Sequence, residues 1–271
     1  MAFLCRLYDV SRSGYYAWTC REESERVKLN KGLMEEIKKI YAESEGIYGS
    51  PRVHRALVRL GYACSVNRVA RLMKKMGLVG RVKKVYKSTP GINNFFTKTS
   101  NKRLGESQPT GINQIWVGDL TYLKIKGKWQ YLAVVMDLYS RKIIGWSLGG
   151  RRSVHLTLEA LSRAIARRKP SKGLIFHSDR GAEYAAYLYQ DKLKRHGIIP
   201  SMNRPGHCQD NAHMESFFHS LKAEVIRGRV IESVVELRRI LKNYINHFYN
   251  QQRLHSGIDY YSPIEYEQLR A

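Results

Sequence analysis

Three carboxylates and one lysine have the residue types and settings that metal-assisted chemistry requires. Asp119 lies inside Trp116-Val117-Gly118-Asp119-Leu120-Thr121-Tyr122, a run of strand character. Asp179 closes the apolar run Leu174-Ile175-Phe176-His177-Ser178, where Arg180-Gly181 begins a turn. Glu215 falls in a helical pattern opened by Asp210-Asn211, both good N-capping types, with Phe217, Phe218, Leu221 and Val225 as its apolar side. A carboxylate embedded in an apolar strand is costly unless a cation holds it. Two strand-borne aspartates and one helix-borne glutamate therefore point to a hard divalent cation. Lys222 follows Glu215 by seven residues, about two helical turns, so both can face one cleft.

Other reactive types are weaker candidates. His177 beside Ser178 suggests a base and a nucleophile, but successive strand residues point to opposite faces. His207, Cys208, His213 and His219 lack the ligand pairing of a zinc site and read as DNA-side or structural residues. Cys5, Cys20, Cys64 and Cys208 are scattered, as reduced thiols of a cytoplasmic protein would be. No apolar run approaches the roughly 18 residues of a membrane span, and the start lacks a signal-peptide pattern.

Charge narrows the partner. Among 271 residues, 47 Lys and Arg stand against 23 Asp and Glu, a formal net charge of +24, which favours a nucleic acid over a membrane surface. Between Gly46 and Gly105 there is no acidic residue at all, whereas a merely solvated basic face would have acids interspersed.

The elements that must position these groups fall into two regions and a linker. In residues 1–80 a short helix, a turn at Val10-Ser11 and a second helix capped by Ser11 come first. A charged helix over 24–42 follows, with Val27, Leu29, Leu33, Ile37 and Ile40 as an imperfect stripe. Ser50-Pro51 then opens a helix that buries Val53, Ala56, Leu57 and Leu60 and exposes Arg52, Arg55 and Arg59. After Gly61, Ser65 caps a further helix bearing Val66, Val69, Leu72, Met73 and Met76, with Asn67, Arg68, Arg71, Lys74 and Lys75 alongside. Two short helices joined by a glycine turn, the second strongly basic, predict a helix-turn-helix with its recognition helix at 65–76. Residues 81–111 read as a linker, basic at Arg81, Lys83, Lys84 and Lys87 and then polar, with Phe95-Phe96 as its one apolar spot.

Residues 112–271 predict an α/β core: strands over 115–125, 129–138 and 142–148 as an antiparallel meander, a helix over 153–168, strand 174–178, helix 184–196, strand 198–202, the Glu215 helix and a long helix over 234–250. The pattern makes a mixed sheet with Asp119 on its central strand and Asp179 at the end of a parallel neighbour. Asn211 reads as a helix cap. The tail YNQQRLHSGIDYYSP reads as packing on the sheet, with Arg253 and His255 available to DNA phosphates.

The chain resembles the transposases of bacterial insertion sequences, in the superfamily that includes retroviral integrases. The likeness is closest to the second-reading-frame proteins of the IS-three family. VSRSGYYAW, IYGSPRVHRAL, WVGDLTYL, HSDRGAEY, DNAHMESFFHSLKAE and YNQQRLHSGIDYYSP stand in that family's order across essentially the whole chain, and 35 residues lie between Asp179 and Glu215, as the superfamily prefers. The resemblance implies an RNase H-like fold and two Mg²⁺ or Mn²⁺ ions held by Asp119, Asp179 and Glu215. It also implies Lys222 on a phosphate at the terminal bases, and DNA cleavage followed by strand transfer. It further implies double-stranded DNA at element ends and target as partner, a dimer or larger assembly on DNA, and an upstream-frame DNA-binding protein fused by frameshift. Gly118 departs from a threonine common in the family, and Arg180 and Glu183 from glutamines; Glu183 reads as a surface or supporting acid. A non-catalytic DNA-binding regulator is the alternative, in which binding would ignore metal and no strand would be nicked.

Overall fold

The computed structural model describes residues 1–81, 108–204 and 208–270. The chain forms two compact units, Met1–Gly80 and Arg81–Ala271. Lys83, Lys84, Lys87, Phe95-Phe96 and His207 lie outside the described residues.

The first unit is all helical: α1 Ala2–Leu7, α2 Arg12–Thr19, α3 Glu25–Glu43, α4 Ser50–Arg59 and α5 Val66–Lys75. Leu33, Ile37 and Ile40 of α3 meet the buried Val53 and Leu57 of α4 and Val69, Leu72 and Met73 of α5. Burial follows the 3.6-residue period only where a neighbour exists. Val27, Leu29 and Leu60, expected on the buried sides, are exposed because they lie toward the helix ends outside this packing. Ser65 caps α5 by accepting from the Arg68 amide at 3.2 Å, as expected. Gly61 ends the α4 turn with φ of +87°, a left-handed conformation costly for any residue with a Cβ, and lets the Tyr62 amide reach the Leu57 carbonyl.

The second unit is built on a five-stranded mixed sheet ordered β3-β2-β1-β4-β5. The strands are β1 Ile115–Ile125, β2 Lys128–Asp137, β3 Ile143–Gly149, β4 Ile175–Ser178 and β5 Ile199–Met202. The first three pair antiparallel, and β4 and β5 continue the sheet parallel to β1. Lys126 and Gly127, both at positive φ, make the two-residue turn between β1 and β2. Helices cover both faces. On one face, Val117, Leu123, Val134 and Met136 pack with α9 (Ala212–Leu221) and α10 (Val234–Asn243) through Phe217, Leu221, Leu237 and Leu241. On the other, Trp116, Val135, Ile144 and Phe176 pack with α6 (Val154–Arg168) and α8 (Tyr187–Arg195) through Leu161 and Leu193.

Local departures have packing reasons. The single helix expected over 184–196 is two, α7 (Ala182–Ala185) and α8, broken at Ala186 with ψ of 140°. The break lets Tyr184 and Tyr189 both turn inward, edge to face at 5.2 Å and against Phe176. Two helices switch to π-helical turns at their ends, α9 over Lys222–Ile226 and α10 over Tyr244–Gln252. The last helix, α11 (Pro263–Leu269), opens on a capping box of Ser262 and Glu265. Among the described residues no helix is long and apolar enough to cross a membrane.

Candidate active site

Strand register brings the two aspartates together. Val117 pairs with His177 and Gly118 with Ser178, and the next residues along the parallel ladder are Asp119 and Asp179. They therefore stand side by side on one sheet face, on chains about 4.8 Å apart. Both are half-buried. Asp119 Oδ1 accepts from the Leu120 amide at 2.7 Å, and Asp179 Oδ1 from the Gly181 amide at 3.0 Å. Burial pushes Asp119 well above the usual carboxylate range, and the charges of Asp179 and Glu215 push it further. Burial also raises Asp179, with its hydrogen bond from Gly181 and the charge of Arg152 opposing.

Glu215 stands in the first turn of α9, exposed, while Met214, Phe217 and Phe218 beside it fill the core. Asn211 fixes the start of this helix to the sheet in a way its sequence context did not reveal. It makes no side-chain cap; its Nδ2 instead donates to the Gly118 carbonyl at 3.1 Å, next to Asp119. Asp210 is likewise occupied elsewhere, accepting from the Arg204 amide at 3.0 Å and its guanidinium at 3.1 Å. Lys222 opens the π-helical turn, half-buried, with Nζ 4.8 Å from the centre of the Tyr122 ring. Burial lowers its pKa, and the nearby charge of Asp119 works the other way.

The donor set suits a hard divalent cation: two carboxylates share a face, and each is driven toward its neutral form unless positive charge is supplied. Among the described residues no three His, Cys, Asp or Glu side chains lie close enough to hold one ion together. Glu215 repels Asp119 at range but stays on the solvent side of α9.

Glu183, expected as a surface or supporting acid, has a partner that the sequence did not single out. Arg152 grips Glu183 in a two-pronged bond, Nε–Oε1 2.6 Å and Nη2–Oε2 2.9 Å, and its positive charge acts on both aspartates. Only the fold brings Arg152 to Asp179. Gly118 is also explained. A Cβ there would meet the Phe176 ring at 2.4 Å, so the aromatic ring occupies the space that a larger residue would need.

Two further expectations fail. Arg253 and His255 are not available to phosphates; both are buried. Arg253, 3% exposed, binds Glu224, 2% exposed, through Nε–Oε2 at 2.8 Å and Nη2–Oε1 at 2.6 Å, and the Tyr244 hydroxyl donates to the same carboxylate at 2.7 Å. Burial opposes charge on Arg253, but Glu224 more than compensates and holds it fully cationic. His255 packs edge-on against Tyr249 at 4.5 Å. This cluster ties the tail to the helix that carries Glu215 and Lys222. His177 is buried between Ser201 Oγ (2.9 Å) and Asn203 Oδ1 (2.8 Å), and is structural.

On the helical unit, Asn67, Arg71, Lys74 and Lys75 are exposed along α5. Arg68 is half-buried and donates from Nε to Asn30 Oδ1 at 2.9 Å. Arg55 and Arg59 are exposed on α4, and the half-buried Arg52 sits 5.7 Å from the Tyr48 ring centre. Arg81 is half-buried and donates to the Glu224 main-chain carbonyl.

Comparison with known proteins agrees with this fold. Residues 109–208 and 196–263 match two families each described as an integrase core domain, and residues 28–86 match an HTH-like domain. The insertion element IS600 uncharacterized 31 kDa protein of Shigella sonnei is 36% identical over 98% of this chain and 97% of its own length. Transposase InsF for insertion sequence IS3A of Escherichia coli strain K12 is 37% identical over 97% of this chain and 92% of its own. Among solved structures, the simian T-cell lymphotropic virus intasome in complex with PP2A regulatory subunit B56 gamma superposes with a TM-score of 0.51. It is 14% identical, over 85% of this chain and 74% of that one, a likeness of fold.

Proposed function

The chain belongs to the insertion-sequence transposases with an integrase catalytic core, and from that premise we propose that Asp119, Asp179 and Glu215 carry metal-dependent cleavage and strand transfer at the ends of its element. It is a polynucleotidyl transferase with a helix-turn-helix region for DNA. The observation that carries the site assignment is the parallel register that sets Asp119 beside Asp179. Two half-buried carboxylates on one face are unfavourable alone and well suited to divalent cations.

We take the cofactor to be a pair of Mg²⁺ or Mn²⁺ ions, which Asp119, Asp179 and Glu215 would hold. When bound, such ions activate an attacking water or 3′-hydroxyl and neutralise the leaving oxygen. The protein's own part is positioning. Asn211 anchors the Glu215 helix to the Gly118 carbonyl, and Arg152 with Glu183 braces the turn after Asp179. Lys222 offers a compact cation to a phosphate of the terminal bases. Phosphodiester exchange conserves bond energy, so joining needs no nucleotide triphosphate.

Binding rests on other residues. Asn67, Arg71, Lys74 and Lys75 on α5 present the recognition face, Arg68 borders it, Arg52, Arg55 and Arg59 flank it on α4, and Lys83 and Lys84 belong to the basic linker of 81–111. We take the two ends to be joined within a dimer or larger assembly on DNA, in the cytoplasm, and an upstream-frame DNA-binding segment fused by frameshift would add contacts. The test is incubation of the purified chain with DNA carrying the element's ends. Nicking and joined products in Mg²⁺ or Mn²⁺, absent in EDTA and nearly so in Ca²⁺, support the reading; metal-independent nicking, or none with DNA fully bound, contradicts it.

A further inference from the structure

The hairpin of β1 and β2 runs past the rest of the sheet. Pairing with β4 stops at Gly118, and pairing with β3 begins only at Tyr131, the partner of Tyr122, so residues 123–130 project beyond both neighbours. Along β1, Thr121, Leu123 and Ile125 are buried, while Tyr122 and Lys124 face solvent. Trp129 stands directly opposite Lys124 in the register. Tyr122 is 57% exposed and Trp129 46%, their rings edge to face at 5.1 Å. Lys124 Nζ lies 5.4 Å from the Trp129 ring centre and Lys222 Nζ 4.8 Å from that of Tyr122. Lys128 is exposed at the same tip.

Large aromatic rings on a projecting hairpin are an unusual use of surface, since each leaves much apolar area in water. Cross-strand packing alone stabilises a hairpin, but it does not call for cations over two half-open rings. Aromatic faces interleaved with lysines are the composition that takes unpaired nucleotides: rings stack on bases irrespective of sequence, and cations track the phosphates. The location fits as well. Tyr122 and Asp119 lie on opposite faces of the same strand, and Lys222 links them: its Nζ sits over the Tyr122 ring and also feels the charge of Asp119.

We propose that Tyr122 and Trp129 form a stacking platform for an unpaired DNA base beside the cleaved phosphate, with Lys124, Lys128 and Lys222 holding the neighbouring phosphates. The proposal rests on the catalytic reading of Asp119 and Asp179. A base stacked there is withdrawn from its duplex, which frees the terminal phosphates to enter a site that closed double helix would crowd.

The test uses the full chain in Ca²⁺, so that binding is read without cleavage. The probes are a blunt duplex of the element's terminal repeat and the same duplex with its last two base pairs mismatched. Wild type should favour the mismatched end by about tenfold, the scale of one base–aromatic stack. Tyr122→Ala and Trp129→Ala should bind both ends alike, and Trp129→Phe should keep most of the preference. Equal binding of both ends by wild type, or full preference in both alanine variants, overturns the proposal. If an alanine variant does not fold, photocrosslinking of wild type to a terminal 5-iodouracil decides: adducts on Tyr122 or Trp129 support the platform, and adducts confined to other residues overturn it. Asp119→Asn should retain the mismatch preference while losing cleavage. An Asp119→Asn variant that cleaves normally refutes the catalytic reading instead, which separates the two failures.

Discussion

Removing the charge of Asp119 should make the protein more stable and useless at once. Asp119 and Asp179 are neighbours in register, and burial with mutual repulsion drives Asp119 toward its neutral form. At about 5 Å and an effective dielectric of about 20, two carboxylates repel by ~3 kcal/mol. Partial exposure of both lowers that to about 1–2 kcal/mol. Asp119→Asn deletes the repulsion but retains a carbonyl oxygen for the Leu120 amide. At about 2–4 °C per kcal/mol for a unit of this size, its melting transition in EDTA should rise by roughly 2–8 °C at neutral pH. The sign with pH is fixed by the direction of the shift. Asp119 has its folded-state pKa raised, so its protonated form supports folding below the unfolded value, and that support is lost as pH rises through the folded value. Wild type and variant should converge near pH 4 and diverge above it. Mg²⁺ should raise the wild-type transition and leave Asp119→Asn nearly unmoved. Thermal unfolding by circular dichroism, with and without Mg²⁺ across this pH range, reads all of these. A variant no more stable than wild type in EDTA, or equally responsive to Mg²⁺, refutes the reasoning.

Further expectations concern binding and packing. Lys74→Ala with Lys75→Ala should weaken end binding and flatten the slope of log affinity against log salt by about one unit per lost phosphate contact, measured by fluorescence anisotropy. Arg253→Ala leaves the buried Glu224 carboxylate uncompensated and should cost about 3–5 kcal/mol in denaturant unfolding, whereas Arg253 placed on DNA would have predicted almost no loss. Gly118→Thr should destabilise by about 1–3 kcal/mol through overpacking on Phe176, and Phe176→Leu in the same chain should recover part of the loss.

Period and register made much of this legible in advance. The strand-like run over 115–125 put Asp119 on the central strand, and the short connections gave the antiparallel meander. Those two facts, with Asp179 closing an apolar run, are nearly enough to place both aspartates on one face. The remainder depends on contacts between residues far apart in sequence. Arg253 follows polar Asn250-Gln251-Gln252 and reads as exposed, but the π-helical turn before it rotates the chain inward to Glu224. Asn211 has a capping residue's type and position, yet its Nδ2 donates to the Gly118 carbonyl and its oxygen caps no helix amide. The seven-residue spacing of Glu215 and Lys222 could suggest a common cleft but not the placement of Lys222 over Tyr122, which comes from a strand far earlier in the chain.

The most direct test of the central claim is the single-turnover rate of end cleavage and joining in Mg²⁺ for Asp119→Asn, Asp179→Asn and Glu215→Gln, with DNA affinity measured on the same samples in Ca²⁺. Each substitution should slow both steps together by at least about 10²–10³-fold, the scale of one lost preorganised charge, and leave affinity within a few-fold of wild type. Cleavage at the wild-type rate by any of the three, above all Glu215→Gln, would contradict the assignment of this site.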